Sequence, residues 1–334
     1  MAQAELSALN PTGAPRLSVI ICTHNRARLL RRCLEALQTQ SVSPGDFEAI
    51  VVDNGSTDDT RSVVEAFASR SVPPRYVDEP TLGLSVARNT GLNHAEAEIV
   101  AYVDDDAFAE PQWAEAVLSA FESANSVDAV AGRVFAEWEI PKPEWMTPLL
   151  EVLYTVHDRG ERRRLLAPNE YFVGANMAFR AQLLRDLGGF DTRLGRIGQS
   201  LLSAEETFLR NQLAARGGDC VYEPRAVVHH HIGKERLTLG YARRRLLAQG
   251  QSDVVATAIT HGHRGWLAEA VACLADAVRW AKHSVCSLIR RNRQASLYSQ
   301  QLAIIAHGRL RQRLSGIVAG YDQRGHTECG AQAT

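Results

Sequence analysis

Short, nearly unbroken apolar runs that recur between amphipathic stretches constrain this chain more than any other feature. Leu17–Cys22, Phe47–Val52 and Ile99–Val103 have the length and composition of strands buried on both faces. Between the first two, Arg28–Gln40 carries Leu29, Leu30, Cys33, Leu34 and Leu37 on one helical face. After the second, Asp53-Asn54-Gly55 reads as a turn and Ser56-Thr57 as a helix cap, and Asp59–Ala68 turns Val63, Val64 and Phe67 inward. This alternation predicts an α/β domain: a mostly parallel sheet with helices on both faces.

The pattern continues through a short strand at Arg75–Asp78, a helix at Ser85–Ala95, a helix at Pro111–Ala124 and a strand at Ala129–Ala136. Regularity then stops. Glu137–Pro148 holds Trp138, Pro141, Pro143, Trp145 and Pro148, a loop composition in which the two tryptophans either pin the loop by burial or offer flat faces to an acceptor. Further on, the sequence predicts a strand at Tyr171–Phe179 and a helix at Ala181–Leu187 stopped by Gly188-Gly189. A helix from Glu205 to about Arg216 follows, then short strands at Cys220–Glu223 and Ala226–His230. From Tyr241 the chain reads as helical and arginine-rich, over Tyr241–Gln249, Gly265–Ile289 and Gln294–Ile317. The expected organisation is a disordered tail over 1–15, the α/β domain over 16–250, a C-terminal helical extension over 251–320 and a flexible tail over 321–334.

With 45% hydrophobic and 22% charged residues the chain can bury a substantial core, and a net charge of −1 gives no general argument for nucleic acid as a partner. The six cysteines never form a CxxC pair, which points to buried thiols in a reducing, cytoplasmic setting rather than a zinc or disulfide framework. Residues 1–16 lack the basic and apolar segments of a secretory signal. The apolar stretch Trp266–Ile289 contains Glu269, Asp276, Arg279, Lys282 and His283, too many ionisable groups for a spanning helix. Its stripe of Trp266, Val271, Leu274, Val278 and Val285, followed by Arg290, Arg291 and Arg293, is expected to pack on the α/β domain or on a second subunit, with peripheral contact at the inner membrane face as the alternative.

Ligands of open parallel sheets bind beyond the carboxyl ends of the strands, and there this chain is polar: Thr23-His24-Asn25-Arg26, Asp53-Asn54-Gly55-Ser56, Asp78-Glu79 and Asp104-Asp105-Asp106. In an extended segment Asp104 and Asp106 point the same way, so the two carboxylates can converge on one hard divalent cation that leaves positions open for phosphate oxygens. Arg88, early in its helix, can reach a diphosphate as a bidentate donor, and Asp53 can accept from a base or ribose edge. Arg236 and Arg243 to Arg245 either neutralise diphosphate charge or form an exposed basic helix face. Glu205-Glu206 opens a helix whose N-terminus favours ionised carboxylates, and adjacent helical residues diverge by about 100°, so one of the two faces a substrate squarely. His229-His230-His231 ends a strand-like run, with imidazoles able to ligate a metal.

Together these strings resemble the family 2 glycosyltransferases with the GT-A fold. The likeness rests on Ser18–Arg26, Val51–Asp58, Gly83–Asn89 and Val103–Ala107, on Asn169–Met177 followed by Gly188-Gly189-Phe190-Asp191, and on Ala204–Thr207, in order over about residues 16 to 250. The resemblance implies an inverting transfer from a nucleotide-diphosphate sugar, a UDP-, GDP- or dTDP-sugar, to a glycan, lipid-linked or small-molecule acceptor, in polysaccharide, glycolipid or glycoconjugate biosynthesis. It implies donor contacts at Thr23, Asn25, Arg26, Asp53, Asn54, Arg88, Asp104 and Asp105, and Mn²⁺ or Mg²⁺ held at Asp104 and Asp106 with His229 or His231. On the loop's own composition, Trp138 and Trp145 are the candidate acceptor contacts, with loop pinning as the alternative. Where the family commonly has Glu-Asp this chain has Glu205-Glu206, so the base aligns with Glu206 while Glu205 stays open. Homo-oligomerisation through the C-terminal helices, which lie outside the resemblance, is an expectation from their apolar stripe.

A nucleotidyltransferase would need a glycine-rich basic loop after the first strand, and Thr23–Arg28 has no glycine. A dinucleotide oxidoreductase is disfavoured by the missing GxGxxG. An idle scaffold subunit fits poorly with four carboxylates kept at Asp104, Asp106, Glu205 and Glu206.

Overall fold

The computed structural model describes residues 14–123, 126–167, 170–198, 200–261 and 266–314; the expected tails, apart from residues 14 and 15, lie outside the described residues. Two compact units are present. The first takes in residues up to 142, 154–199 and 205–234, and the second 143–153, 200–204 and 235 onward.

The first unit opens as its hydrophobic pattern demands. β1 (Leu17–Thr23), α1 (Ala27–Leu37), β2 (Phe47–Asp53), α2 (Thr60–Glu65), β3 (Arg75–Asp78), α3 (Leu84–His94) and β4 (Ile99–Val103) alternate, and β3, β2, β1 and β4 lie side by side in parallel. Strand side chains alternate between faces, and both faces are apolar here. Val19, Ile21, Val51 and Ala101 pack with Leu30, Cys33 and Leu34 of α1 and Val63 of α2 on one side. Ile20, Ile50, Val52 and Tyr102 pack with Ala87 and Leu92 of α3 on the other. Each such aliphatic side chain removed from water contributes about 1.5–3 kcal/mol, which is why the run of apolar residues, rather than local propensity, fixes these strands.

Beyond β4 the sheet is mixed. β5 (Ala107–Ala109), α4 (Trp113–Glu122) and β6 (Val127–Trp138) follow, and after the short β7 (Arg164–Leu165) come β8 (Asn176–Arg180), α6 (Ala181–Asp186), α7 (Glu205–Ala215) and β9 (Asp219–Ile232). The full order is β3-β2-β1-β4-β8-β6-β9-β5, with β7 beside β9; β8 runs antiparallel to β4 and β6, and β5 antiparallel to β9. Two elements depart from the sequence pattern. The two short strands expected at 220–230 are one 14-residue strand, because the irregularity around Pro224 is absorbed as a register shift against β6 at Gly132/Arg133. Asn176 fills that gap, donating through Nδ2 to the Arg133 and Ala226 carbonyls and accepting from Trp113 Nε1 at 2.8 Å. Trp138 is not in a loop but ends β6, opposite Ile232.

In the second unit α5 is Pro148–Leu153, and α8 (Leu239–His261), α9 (Trp266–Ile289) and α10 (Arg293–Leu314) form the helical extension. The boundary expected at 250/251 falls inside α8. A Cβ at Gly250 would collide with the Ile305 carbonyl and one at Gly308 with the Leu247 carbonyl, so α8 and α10 cross with their backbones in contact. The Trp266 side chain lies outside the described residues. No described helix is long and apolar enough to cross a membrane.

Candidate active site

The carboxyl ends of β1 and β4 supply the first part of the site. β4 stops at Val103 and the chain turns at once, Ala107 N–H donating to the Asp104 carbonyl at 3.0 Å. The acidic triplet is therefore a tight turn rather than an extended segment, and His231 N–H pins it by donating to the Asp106 carbonyl at 2.7 Å. Asp104 is 30% exposed, whereas Asp105 and Asp106 are at 5%. Buried carboxylates need partners. Asp105 accepts from Thr23 Oγ1 and from Arg26 Nη1, both at 2.8 Å, and the same Arg26 nitrogen lies 2.8 Å from Asp106 Oδ2. Burial pushes Asp105 up to about 6, with Arg26 opposing the shift and Asp106 adding to it. Asp105 and Asp106 in turn hold the Arg26 guanidinium firmly charged.

The histidine that joins the triplet is His230. Asp104, Asp106 and His230 offer ligand atoms that all lie within 4.8 Å of one another. His230 Nε2 is 3.2 Å from Asp106 Oδ1, and its Nδ1 is buried without a hydrogen-bond partner. Strand geometry brings His230 beside the two aspartates, where His229 or His231 had been expected. Successive side chains on β9 point to opposite faces, and His230, paired with Ala107, faces the turn. His229 instead sits 2.8 Å from Glu110, and His231 Nδ1 lies 3.7 Å from Glu137. Two carboxylates and one imidazole form a donor set suited to a Mn²⁺- or Mg²⁺-like ion, and the unsatisfied His230 nitrogen is the kind of buried atom that a ligand would complete.

Arg88 joins this corner to the acids of α7. At 2% exposure it lies 3.0 Å from Glu205 Oε1, 3.5 Å from Glu206 Oε1 and 3.7 Å from Asp104 Oδ1, with its guanidinium carbon 5.2 Å from the centre of the Phe190 ring. Burial works against its charge, but Glu206, Glu205 and Asp104 outweigh burial and shift it upward. So enclosed, Arg88 lies among three carboxylates, Glu205, Glu206 and Asp104. The two glutamates differ as helix geometry requires. Glu205 is buried at 3%, and burial followed by repulsion from Glu206 pushes it up to about 7, while Glu206 is the more open at 18%. A Cβ on Gly174 would collide with the Arg88 guanidinium and with Glu206 Oε1, so only glycine lets the chain pass there. Ala204, at φ 83°, turns the chain into α7, a conformation that costs a non-glycine residue about 1 kcal/mol or more.

The remaining expected donor residues build a neighbouring corner at the ends of β1 and β2. Asp53 accepts from Ser56 N–H at 2.9 Å and from the Tyr76 hydroxyl at 2.8 Å. Asn54 donates to the Glu79 and Thr81 carbonyls and accepts from Gly83 N–H. Asn25, at φ 53°, accepts from Thr57 N–H at 2.7 Å. Thr23 and Asp53 are register partners, so this corner adjoins the acidic turn through Thr23. Trp138 is half-buried at the end of β6; Trp145 belongs to the second unit, where its carbonyl accepts from Gln301. Gly174, Phe190 and His230 were not singled out from the sequence, although strand alternation alone separates His230 from its two neighbours.

Glycosyl transferase family 2 matches this sequence over residues 18–188, which spans β1 to the end of α6 and includes the acidic turn and Gly174. The chain belongs to that family. A glucosyl-dolichyl phosphate glucuronosyltransferase of Haloferax volcanii is 26% identical over 72% of this family 2 chain and 77% of its own length. A validoxylamine A glucosyltransferase of Streptomyces hygroscopicus subsp. limoneus is 42% identical, over 35% of this chain and 26% of the relative. Among solved structures, the mannosyltransferase PcManGT from Pyrobaculum calidifontis, in complex with GDP-Man and Mn²⁺, aligns with a TM-score of 0.58 at 23% identity, covering 93% of this chain and 92% of the other. S. aureus TarS 1–349 with UDP-GlcNAc aligns at 0.53 and 17% identity, covering 90% and 92%. These likenesses establish the GT-A fold, and this family 2 chain is a glycosyltransferase.

Proposed function

We propose that this glycosyltransferase moves a sugar, with inversion, from a nucleotide-diphosphate donor to an acceptor hydroxyl, with a divalent cation at Asp104, Asp106 and His230. The observation that carries the reading is the convergence of those three side chains at the same strand ends where Arg88 holds Glu206 beside Asp104. Asp53, Asn54 and Asn25 shape the pocket wall for the nucleoside, consistent with their hydrogen-bonded loops. A bound Mn²⁺ or Mg²⁺ would supply charge neutralisation for the departing diphosphate.

The protein's own groups account for the remaining steps. Glu206, the more open of the two acids, takes the proton from the acceptor hydroxyl as that oxygen attacks the anomeric carbon. Arg88 orients Glu206 through their 3.5 Å contact. Glu205, buried against the same Arg88 nitrogen that contacts Glu206, fixes Arg88 rather than meeting the acceptor. Two of the solved neighbours are complexes with GDP-Man and UDP-GlcNAc, which supports a nucleotide-sugar donor here without choosing a base.

Replacing Glu206 by Gln tests the assignment. Nucleotide release from a panel of UDP-, GDP- and dTDP-sugars should fall about 10²- to 10⁴-fold, the usual contribution of a positioned general base, while nucleotide affinity by calorimetry stays within a factor of a few. Full turnover in that variant would reassign the base.

A further inference from the structure

Helix α9 is packed with its polar side inward. Toward α10 it presents Ser284 and Ser287, both buried; the Ser284 hydroxyl lies 3.0 Å from that of Ser296, and Ser296 and Ser299 of α10 are buried in the same seam. The turn joining the two helices is closed by Asn292 N–H donating to the Ser287 carbonyl, with Arg291 at φ 56°. The opposite side of α9 carries the aliphatic residues, and they are open: Val271 at 66% exposure, Leu274 at 51%, Val278 at 59%, Val285 at 57% and Ile289 at 77%. At 100° per residue these five fall within about 60° of arc, and at 1.5 Å per residue they form a stripe about 27 Å long. Isolated exposed aliphatics need no explanation, but a continuous stripe on a helix that buries serine does.

The charge around the stripe indicates what covers it. Arg279, Lys282, Arg290, Arg291 and Arg293 are all exposed beside or beyond it, and the sole acid on α9 among residues 271–289, Asp276, is taken by Arg279 at 3.2 Å. Residues 235–314 hold thirteen arginines and lysines against four acidic residues, in a chain whose net charge is −1. A second copy seated on this face by two-fold symmetry would set the same cationic flanks against each other, a repulsive arrangement. An anionic bilayer surface reverses that sign. A helix of this kind lies in the interface plane, its aliphatic face about 5–10 Å into the boundary and its cations on the headgroups. Lys282, at the edge of the stripe, can extend its stem along the apolar surface and keep its ammonium at the phosphates.

We propose that the exposed face of α9 is a docking surface for anionic lipid, holding the enzyme on a membrane without crossing it. The proposal is independent of the transfer reaction and is read without it. The full chain is floated with vesicles of phosphatidylcholine alone and of phosphatidylcholine with phosphatidylglycerol. It should bind the anionic vesicles, release at high salt, and bind the neutral ones at least tenfold less. Val278→Glu with Val285→Glu should abolish flotation. Arg290→Glu with Arg291→Glu leaves the stripe intact and should weaken binding at least about 25-fold, near fivefold for each basic residue lost from the surface. Both variants alter exposed side chains, so thermal melts and donor hydrolysis should match the parent. Absence of binding to anionic vesicles, or unaltered binding by both variants, would overturn the proposal. So would a lipid-free dimer in sedimentation equilibrium that Val278→Glu with Val285→Glu dissolves, since that result assigns the stripe to a second copy.

Discussion

Glu205 is the residue at which the site's electrostatics acts most directly on the stability of the fold. It is enclosed by Glu206, Arg88 and Arg196, and burial raises its proton affinity from the ordinary 4.5 to about 7. Because its folded value lies above its unfolded one, the folded state holds an extra proton between those limits. Stability therefore falls as pH rises from about 4.5 to about 7, by up to about 1.4 kcal/mol per pH unit for one proton. Glu205→Gln removes that proton exchange. The variant should gain stability relative to the parent as pH goes up through this window, measured by urea unfolding at several pH values. Parallel pH profiles for the two proteins would show that Glu205 does not titrate in the folded state. The same burial gives the two acids different roles: one is committed to Arg88, and the other remains open enough to meet a substrate.

At the scale of elements, close approach sets which substitutions the fold tolerates. Gly91 of α3 lies against Ile20 of β1, and a Cβ there would collide with the Ile20 side chain, whereas Gly240 in the first turn of α8 has open space around it. Gly91→Ala should cost about 1–3 kcal/mol through overpacking, and Gly240→Ala should gain up to about 1 kcal/mol by reducing the freedom of the unfolded chain. Chemical denaturation with an unchanged m-value would verify both; a neutral Gly91→Ala would mean that α3 can shift away from the sheet. Elements whose cause is local were legible before the structure: β1, β2 and β4 from their apolar runs, α1 from its stripe, and the place of the acidic triplet after β4, though not its turn. Elements whose cause is long-range were not. β5 has three residues and exists because β9 pairs with it, and β9 reads as two strands until β6 absorbs the irregularity at Pro224. The same limit explains the histidines: alternation puts His230 on the opposite face from His229 and His231, but only the pairing of β9 with β5 fixes which face meets the acidic turn.

On the scale of the whole molecule, the cluster of Asp104, Asp106 and His230 joins distant parts of the sequence. Asp104 and Asp106 follow β4, whereas His230 arrives on β9 after all of α4, β6, β8 and α7 have been laid down. A ligand set assembled only by the finished sheet has no counterpart in the unfolded chain, so an ion that binds it stabilises the fold by mass action. With Mn²⁺ at 100 times its dissociation constant the gain is about 2.7 kcal/mol. Removing one ligand should reduce that gain sharply, and the three neighbouring histidines provide their own controls. His230→Ala should abolish most of the Mn²⁺-dependent rise in melting temperature, and His229→Ala, which loses its half-exposed contact with Glu110 and its ring contact with Phe135, should leave it intact. The comparison needs neither donor nor acceptor. Equal Mn²⁺ stabilisation in the parent and in His230→Ala would exclude His230 as a ligand and leave the ion to the two aspartates alone. A loss confined to His229→Ala would move the ligand to the other face of β9, against the strand alternation on which the assignment rests.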